Sequence, residues 1–545
     1  MVERRKYALN LLLSFDFRIS ALTQIRDNVT RNMKELIEMN KPTGSVKALA
    51  CHPRVPGLSV AVVKDNQVLI SKGYGLADLQ TGTPVTEFTL FRLASITKAV
   101  STTLLAKQLH ETSNYNLYSH LTSFYDSSFK FSTTIRTENA NIRDILSHAL
   151  AIPKHNYLRL NPKLNRTNFP SVLKNLKSVY PFRETYTYTN IAFGLSTTIS
   201  EKIGRQPWED LVRQELFSPL GMHSSTFFSE TKGTNHVAKG YIDDVTKSST
   251  VPVPSVLYNS WEKLCGSICL MSNAHDMAKW MKFHLSGGLN EHGSRVMQEE
   301  TLKSTYKARN SISSSGISEY FSKPRVPHTT TENNYALGWR NGYYREYKIL
   351  RHTGTILGFS SLVTLIPDMN IGIFTTMNGQ DSDYIFRTLL HNYLADIALG
   401  EDAWLNSSTI CSFPKPWFSL TPSASHHISK SNTLSRSSSE YVGHYHNNAY
   451  GDLHIFLNST TGIIDLKYGI ATWNLYPKHS RDQFAAQGYG ILENISPYDL
   501  ATIKFHHDTH GGSIISVEVT SFEPKDPPIF SKVSSSVGSS VIFGK

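Results

Sequence analysis

Two β-rich segments, far apart in a chain of 545 residues, constrain the fold most. Residues 56–75, "PGLSVAVVKDNQVLISKGYG", predict a hairpin, because two apolar and β-branched runs flank the turn Lys-Asp-Asn-Gln. Residues 335–379 return to β character and end in "SSLVTLIPDMNIGIFTTMNG", which predicts two strands joined by residues 367–370. We expect the strands from both ends of this region to share one antiparallel sheet.

Helical patterns flank and separate these segments. Apolar residues recur at helical spacing over 22–40, and a second such helix over 384–400 follows the last strand. Residues 96–112 and 275–288 predict two more helices, while 113–255 mixes loops and helices without strand alternation. The chain therefore predicts an α+β fold: an antiparallel sheet flanked by helices, with a helical lobe inserted and a cleft between the lobes.

The composition changes after residue 405. Residues 406–437 are rich in Ser, Pro and Thr and have little periodicity, which is typical of a linker. From residue 438 onward, short strand patterns broken by turn residues predict a small all-β domain, either a barrel, which we expect, or a sandwich. We therefore expect two domains, 1–405 and 438–545, joined by the linker 406–437, and no internal repeat.

Charge and hydropathy limit the classes of function. The net charge is +11, but Lys and Arg are scattered, which indicates a solvated basic surface; a nucleic-acid or anionic partner is the less favoured alternative. No apolar run is long enough to cross a bilayer. Residues 1–15 combine a basic start with "YALNLLLSF", yet no clear signal-peptide cleavage site follows, so the sequence leaves the compartment open, secreted or cytoplasmic.

The cysteines and one histidine-rich segment give no metal site. Four cysteines do not make a disulfide-rich scaffold, and Cys265 and Cys269 lack His or Cys partners at zinc-site spacing. "HHDTHGG", residues 506–512, lies between two strand patterns and predicts a polar turn rather than a metal cluster. The disulfide status of the cysteines stays open.

Ser95 and Lys98, in "FRLASITKAV", form the pattern S-x-x-K at the start of a predicted helix. Residues i and i+3 share a helix face, so the Lys98 amine can reach the Ser95 hydroxyl, which is a poor nucleophile until a base takes its proton. The N–H groups and the dipole at a helix N-terminus favour an oxyanion there. Taken alone, the pattern fits a serine cap followed by a surface lysine better, so further segments must decide.

Two further segments carry groups suited to the same reaction. Tyr188 and Asn190 stand just before an apolar helix. A phenol can shuttle a proton when a cation stabilises its phenolate, and an amide can hold a substrate amide. His352 and Gly354 lead into the late strand pair, where Gly354 would let a substrate backbone lie close to the strand edge.

In this order, Ser95-x-x-Lys98, Tyr188-x-Asn190 and His352-x-Gly354 resemble the three motifs of the serine β-lactamase and penicillin-binding-protein family. Flanking segments such as "PGLSVAVV", "GSICLMSNAHDMAKWM" and "YALGW" agree with the branch that contains class C enzymes, esterases and D-amino-acid peptidases. The similarity covers residues 22–400 and implies a β-lactamase/transpeptidase-like fold. The C-terminal barrel resembles the lipocalin-like domain that some peptidases of this branch append.

The resemblance implies a role for each matching residue. Ser95 would be the nucleophile that becomes acylated, Lys98 would hold the proton network, and Tyr188 would act as general base and then as acid. Asn190 would orient the substrate. The backbone N–H groups of Ser95 and Thr355 would form the oxyanion hole, each donor lowering the barrier by about 3 kcal/mol. No metal or organic cofactor is expected.

Two positions depart from the family pattern. His352 stands where the lactamases have lysine, and an uncharged histidine weakens the fixed cation for a substrate carboxylate. This favours esters, amides or peptides over penicillin-like acids; a purely structural hydrogen-bonding role of His352 is the alternative. Ala151, in "LSHALAIPKHN", stands where relatives usually carry glycine, so a left-handed backbone there would cost about 1 kcal/mol.

The sequence therefore predicts a β-lactamase-related serine hydrolase that acts on an ester, amide or peptide through a Ser95 acyl-enzyme. Substrates that contain D-amino acids or resemble β-lactams fall within this range. The alternatives are a non-catalytic binding or scaffold protein that keeps the fold, and acyl transfer to a nucleophile other than water. The expected partner is a small-molecule or peptide substrate and not a nucleic acid; substrate identity and homo-oligomerisation stay open.

Overall fold

The protein is described here by a computed structural model. The described residues are 20–33, 54–230, 236–244, 249–312, 319–381, 384–419, 428, 430, 433–509 and 512–533. The predictions for residues 1–15, for the second part of the helix 22–40 and for Cys51 lie outside these ranges. The chain divides into two compact units, which we call the sheet unit (Met1–Ile152 and Tyr180–Pro422) and the barrel unit (Pro153–Val179 and Ser423–Lys545).

The sheet unit contains a nine-stranded sheet and two small ones. Its strands are β1 Gly57–Lys64, β2 Gln67–Asp78, β3 Thr83–Pro84, β4 Phe91–Arg92, β5 Thr226–Phe227, β6 Tyr241–Asp244, β7 Ser249–Pro252, β8 Leu270–Ser272, β9 Asn310–Ser311, β10 Asn334–Tyr335, β11 Arg340–Tyr344, β12 Tyr347–Ile356, β13 Phe359–Ile366 and β14 Ile371–Met377. The large sheet has the order β3-β2-β1-β14-β13-β12-β11-β10-β9 with antiparallel pairing. The strands of the two ends of the domain therefore meet where β1 pairs with β14, as predicted.

The predicted hairpins are confirmed. Asp65 and Asn66, at the β1–β2 turn, have φ of +48° and +64°, the left-handed pair that a two-residue hairpin turn with the twist of a sheet requires. The turn between β13 and β14 is a 3-10 turn, Pro367–Met369, followed by Asn370 at φ +51°. Asn and Asp tolerate this backbone better than other non-glycine residues, which explains their place in both turns.

The helices of the described residues are distributed over both units: those of the sheet unit cover the sheet and build the inserted lobe, and the last one, at residues 438–441, belongs to the barrel unit. They are α1 (residues 20–33), α2 Thr97–Glu111, α3 Thr134–Asn139, α4 Ile142–Leu146, α5 Asn190–Phe193, α6 Leu195–Gly204, α7 Trp208–Val212, α8 Ser218–Leu220, α9 Val256–Asn259, α10 Cys265–Ile268, α11 Ala274–Leu285, α12 Glu299–Ser304, α13 Ile385–Leu399, α14 Ser407–Ser412 and α15 Ser438–Tyr441. Across the ranges given above, none of them combines the length and the apolarity that a membrane span needs.

The central strands are apolar because helices cover them. All residues of β13 and β14 are buried. On one face, Val29 and Met33 of α1 and the apolar side of α13 pack into the same cluster as β1 and β14. On the other face, α11 packs on β1, β2 and β14. The first and last helices thus flank one sheet, which is the α+β arrangement predicted from the sequence.

Short strands within 113–255 were not predicted. β5 pairs with β8, which in turn pairs with β4, and β6 pairs with β7. Segments of two to four residues carry too few side chains for an alternating pattern to stand out. β4 and β5 pair with a strand that lies far away in the sequence, so tertiary contacts decide these two strands, whereas β6 and β7 form a local hairpin.

The barrel unit contains a closed eight-stranded antiparallel barrel, which confirms the predicted all-β domain. Its strands are β15 Gly443–Asn447, β16 Gly451–Leu457, β17 Ile464–Tyr468, β18 Ala471–Pro477, β19 Gln483–Tyr489, β20 Leu500–His507, β21 Ile514–Glu518 and β22 Ile529–Lys532. Buried aromatic side chains fill its core, among them Tyr468, Trp473, Phe522 and Phe530. Pairing of β15 with β22 closes the barrel and removes the exposed edges that an open sheet would have.

Residues 153–179, which we call the arm, group with the barrel although the sequence places them inside the first predicted domain. Tyr157 stacks on Phe522 with ring centroids 4.4 Å apart. Asn161 Nδ2 donates to Tyr450 O at 3.1 Å. Gly469 lies so close to the arm that a Cβ there would meet the carbonyl oxygen of Leu160 at 1.8 Å. No sequence pattern indicated these contacts, and the domain limits proposed from the sequence stay predictions.

The predicted linker also has structure where it is described. Residues 407–412 form α14, which begins with a capping box in which Asn406 and Thr409 exchange hydrogen bonds. Ile410 is buried in the apolar cluster of the sheet unit, and Phe413 and Trp417 pack against it. The segment is rich in Ser and Pro. Its few aromatic residues nevertheless pack it against the apolar cluster of the sheet unit.

We expect Gly469→Ala to loosen the arm, because the new methyl group would collide with Leu160 O and the backbone at Gly469 is left-handed, with φ +57°. Gly462→Ala is the matched control, since Gly462 has φ +68° but open space around its Cβ position. Hydrogen exchange of residues 155–161 should quicken at least about tenfold in Gly469→Ala and stay near wild type in Gly462→Ala. Equal protection in both variants would contradict the packing of the arm.

Candidate active site

Ser95 lies in the 3-10 turn Ala94–Ile96, which leads directly into α2. Ala94 has φ +48°, a left-handed conformation that non-glycine residues adopt rarely and that clusters at functional sites. Thr97 fixes the turn, because its hydroxyl donates to Ala94 O at 2.5 Å and accepts the N–H of Leu270 at 3.0 Å. Ser95 therefore occupies the predicted position at a helix N-terminus, with 9% of its surface exposed.

Side chains from distant parts of the sequence meet at the Ser95 hydroxyl. The Tyr188 hydroxyl donates to Ser95 Oγ at 2.7 Å, and Lys98 Nζ lies 3.1 Å from the same oxygen. Lys98 Nζ also donates to Asn190 Oδ1 at 2.7 Å and to Ser267 O at 2.8 Å. The structure thus brings four of the predicted residues into one hydrogen-bonded network. Sequence reasoning missed Ser267, which contributes only a backbone carbonyl.

The Lys98 amine has the environment of a general base. Burial, and to a lesser degree the positive charge of Arg340, lowers the pKa of Lys98 well below 10.5. A neutral amine has two hydrogens and one lone pair. Asn190 Oδ1 and Ser267 O can only accept, so they take both hydrogens. The lone pair then faces Ser95 Oγ, where it can accept the hydroxyl proton.

The Tyr188 phenol tends to keep its proton, whereas the Lys98 amine tends to be without its third proton. Burial raises its pKa above the usual value of 10, against the opposing effect of the hydrogen bond to Ser95. A phenol with a raised pKa stays protonated near neutral pH and donates, as its contact with Ser95 Oγ requires. The electrostatics thus favour Lys98 as the base and Tyr188 as the proton donor, whereas the family resemblance implied Tyr188 as the base. The roles of both residues stay predictions.

His148 supports Tyr188 and was not identified from the sequence. The two rings lie 4.4 Å apart, and His148 Nδ1 accepts the N–H of Thr189 at 3.2 Å. Burial lowers the pKa of His148 well below 6.5, so the ring stays neutral. The loop is strained, with φ +59° at His148 and +57° at Ala151. The left-handed backbone considered for Ala151 is therefore confirmed, and it lies three residues from the histidine that contacts Tyr188.

The carbonyl that accepts from Lys98 belongs to a turn closed by a disulfide. Cys265 and Cys269 are bonded across α10, with Cα atoms 4.6 Å apart, and Ser267 lies between them. The spacing of four residues, which places two side chains on one helix face, was the available sequence signal. Within the described ranges, no group of His, Cys, Asp and Glu is arranged to hold a metal ion.

His352 is buried and neutral. Its Nε2 accepts the hydroxyl of Tyr335 at 2.9 Å, while Nδ1 donates to Thr353 O at 2.8 Å. Burial, then the charges of Lys98 and Arg340, lowers the pKa of His352 well below 6.5. Both ring nitrogens are therefore engaged with the protein, which supports the structural hydrogen-bonding alternative for this residue. Tyr335 is a further member of the site that the sequence motifs did not include.

Gly354 brings β12 close to the nucleophile turn. A Cβ at Gly354 would meet Leu93 O at 2.0 Å and Ser361 Oγ at 2.2 Å. The space that a side chain would occupy is thus filled by the residue two positions before Ser95, and not by open cleft. Thr355 follows on β12 with an exposed side chain. Glycine is required here because two backbones approach closely; the substrate contact predicted for Gly354 stays a prediction.

The Beta-lactamase family matches residues 26–394. Gigasin-6 of Magallana gigas is 32% identical over 235 residues, which cover 42% of this chain and 76% of that protein. The unguisins hydrolase ungD' of Aspergillus campestris is 30% identical over 356 residues, which cover 63% of this chain and 62% of that protein. The chain thus spans less than two thirds of this hydrolase.

Solved structures share the fold at low sequence identity. SurE aligns with TM-score 0.54 and 17% identity, covering 94% of this chain and 100% of that chain. The octameric penicillin-binding protein homologue of Pyrococcus abyssi aligns with TM-score 0.53 and 18% identity, covering 93% of this chain and 99% of that chain. The D-amino acid amidase of Ochrobactrum anthropi SV3 aligns with TM-score 0.51 and 16% identity, covering 70% of this chain and 98% of that chain. These likenesses confirm the β-lactamase/transpeptidase-like fold.

We expect Tyr335→Phe to lower the free energy of unfolding by about 1–3 kcal/mol, because it leaves the buried His352 Nε2 without its donor. Tyr343→Phe is the control, since Tyr343 is 51% exposed. Loss of its hydroxyl should change the free energy of unfolding by less than about 0.5 kcal/mol. Urea unfolding of the full chain measures both. A Tyr335→Phe variant as stable as Tyr343→Phe would show that the hydrogen bond to His352 contributes little.

Proposed function

Because the chain belongs to the Beta-lactamase family over residues 26–394, we propose that it is a serine hydrolase that forms an acyl-enzyme on Ser95. The observation that carries the proposal is the geometry at Ser95 Oγ. This oxygen lies within hydrogen-bond reach of a phenol donor and of an amine whose two hydrogens have other acceptors. A serine hydroxyl needs such a base to become a nucleophile.

The proposed reaction has two steps without a cofactor. Lys98 Nζ accepts the Ser95 proton while Oγ attacks the substrate carbonyl carbon. The backbone N–H groups of Ser95 and Thr355 hold the oxyanion, each lowering the barrier by about 3 kcal/mol. Tyr188 passes a proton to the leaving alcohol or amine and is reprotonated through Lys98. Water then attacks the acyl-enzyme by the same route in reverse, which releases the acid and restores Ser95.

Neutral esters, amides or peptides fit this site best. The triplet position that carries lysine in the lactamases carries His352, which is neutral and has both ring nitrogens engaged. It supplies no fixed cation for a substrate carboxylate. A relative named unguisins hydrolase supports hydrolysis in general, and a neighbour named D-amino acid amidase supports an amide substrate. Asn190 Oδ1 accepts from Lys98, so its amide nitrogen is the end suited to a substrate carbonyl.

We expect a fluorophosphonate probe to label the full-length chain at Ser95, because the probe reports an activated serine. Labelling and hydrolysis of p-nitrophenyl acetate should fall at least about a thousandfold in Ser95→Ala. Ser127→Ala, at an exposed serine, should match wild type. Peptide mass spectrometry locates the adduct.

Three outcomes of this experiment separate the alternatives. A folded wild-type protein without labelling or turnover would favour the non-catalytic scaffold. Labelling of Ser95 with turnover only when an amine or alcohol is added would favour acyl transfer. Activity that persists in Ser95→Ala would remove the proposed nucleophile. A screen of p-nitrophenyl esters, D- and L-amino-acid amides and nitrocefin then identifies the substrate class.

We expect kcat/KM for the ester to rise with pH through one acid limb and then stay level to about pH 9.5. Only the neutral Lys98 amine accepts a proton, and burial lowers its pKa below 10.5, so the rise ends below that pH. The pKa of Tyr188 is raised, so loss of its proton produces no decline in this range. The rate of the Ser95→Ala variant at each pH is subtracted as background. Samples returned to pH 7.5 are assayed again to show that the protein is not inactivated by the pH treatment. A rise that ends only near pH 10.5 would contradict the assignment of Lys98.

A further inference from the structure

The guanidinium of Arg387, in α13, is fully buried and each of its five N–H groups has an acceptor. Nη1 donates to Gly354 O at 2.7 Å and to Ser361 O at 2.9 Å. Nη2 donates to Thr355 Oγ1 at 3.2 Å and to Asp381 O at 3.1 Å. Nε donates to Asp381 Oδ2 at 2.9 Å. A cation is thus fixed against the end of β12 that carries Thr355.

Asp381 holds this arginine in place. Its Oδ2 also accepts the backbone N–H of Arg387 at 3.1 Å, and its Oδ1 accepts that of Phe386 at 3.1 Å. The N–H of Asp381 donates to Ser360 Oγ at 3.0 Å. Ser360 lies directly opposite Thr355 in the strand register. The ion pair therefore joins the start of α13 to both β12 and β13.

The contact with Gly354 O sets the direction of the next N–H group. In a trans peptide the carbonyl and the following N–H point in opposite directions. Gly354 lies opposite Ser361 in the register, and Arg387 bridges the carbonyl oxygens of both. Gly354 O therefore points towards β13, and Thr355 N–H points to the other edge of β12.

That other edge faces the candidate active site. β11 pairs with β12 only as far as Arg351, so in the described part of the sheet no strand covers β12 beyond this residue. Gly354 itself lies against Leu93 O, two residues before Ser95. An N–H on this edge can therefore donate to a group bound at Ser95.

We propose that Arg387 is a positioning residue for the oxyanion hole. Its guanidinium holds the peptide between Gly354 and Thr355 so that Thr355 N–H points at the oxygen that gains negative charge when Ser95 attacks. A charged donor on the carbonyl also polarises the amide and strengthens the N–H as a donor. The inference rests on the proposed function, because an oxyanion forms only if Ser95 is acylated.

The test compares kcat and KM for p-nitrophenyl acetate in the full chain. Arg387→Lys keeps the charge but loses the forked contact with two carbonyls. We expect kcat to fall by about tenfold to a hundredfold while KM stays within about threefold, since the oxyanion exists only in the transition state. In Arg387→Ala, added methylguanidinium should restore kcat at least about fivefold. Asp381→Asn should lower kcat in the same direction.

Arg351→Lys is the matched control. Arg351 is also buried at the sheet, and its guanidinium contacts Thr364 Oγ1 at 2.9 Å and Asn392 Oδ1 at 3.0 Å, away from the Gly354 carbonyl. If buried arginines only stabilise the fold, the two lysine variants should show similar decreases in melting temperature and similar decreases in activity. We expect similar losses of melting temperature but a change in kcat of less than about threefold in Arg351→Lys.

The outcomes are separable. An active wild type together with a folded Arg387→Lys of unchanged kcat would overturn the role of Arg387 alone. Equal kcat losses in Arg387→Lys and Arg351→Lys would also overturn it. A wild type that neither turns over the ester nor is labelled at Ser95 would overturn the proposed function, and the positioning role with it. A kcat loss confined to Arg387 and Asp381 variants, with rescue by methylguanidinium, supports the proposal.

Discussion

The arrangement of the candidate site depends on the burial of one amine. Lys98 Nζ has no exposed surface, and an unpaired ammonium in such a place would be costly. Three oxygens, from Ser95, Asn190 and Ser267, satisfy it. These oxygens belong to the start of α2, the start of α5 and the turn before β8. A single nitrogen therefore requires three separate segments to adopt one arrangement, and that arrangement leaves its lone pair facing the hydroxyl of Ser95.

The groups around this amine are neutral donors and acceptors more than charges. His148 and His352 both have pKa values lowered by burial, and Tyr188 and Tyr335 both have raised ones. The nearby Arg340 pairs with Glu332 at 3.2 Å. In a low-dielectric pocket such groups keep fixed protonation states across neutral pH. The hydrogen bond between Ser95 and Lys98 therefore lies among groups whose charge does not change near neutral pH, which agrees with the proposed proton transfer from Ser95 to Lys98.

The sheet could be predicted and the three motifs could be found because both depend on residues that are close together in the sequence. The hairpin at residues 64–67 and the turn at 367–370 carry the Asp and Asn residues that their left-handed backbone favours. The positions of His148, Tyr335 and Arg387 could not be predicted in this way. Each contacts a residue of another element, 17 to 41 positions away, and a lone histidine, tyrosine or arginine has no local pattern that marks such a contact. The same holds for the arm, which packs on a barrel encoded almost 300 residues later.

The sequence by itself determined the family, the strand and helix periodicity, and the choice of Ser95 as the proposed nucleophile, because S-x-x-K and the alternating apolar runs depend on neighbouring residues. Tertiary structure alone decided the protonation states. Whether Lys98 is a base and His352 is uncharged depends on how much water is excluded and on which oxygens lie within reach. Solvent exclusion is a property of the packed fold, since the residues that bury a side chain come from many parts of the chain.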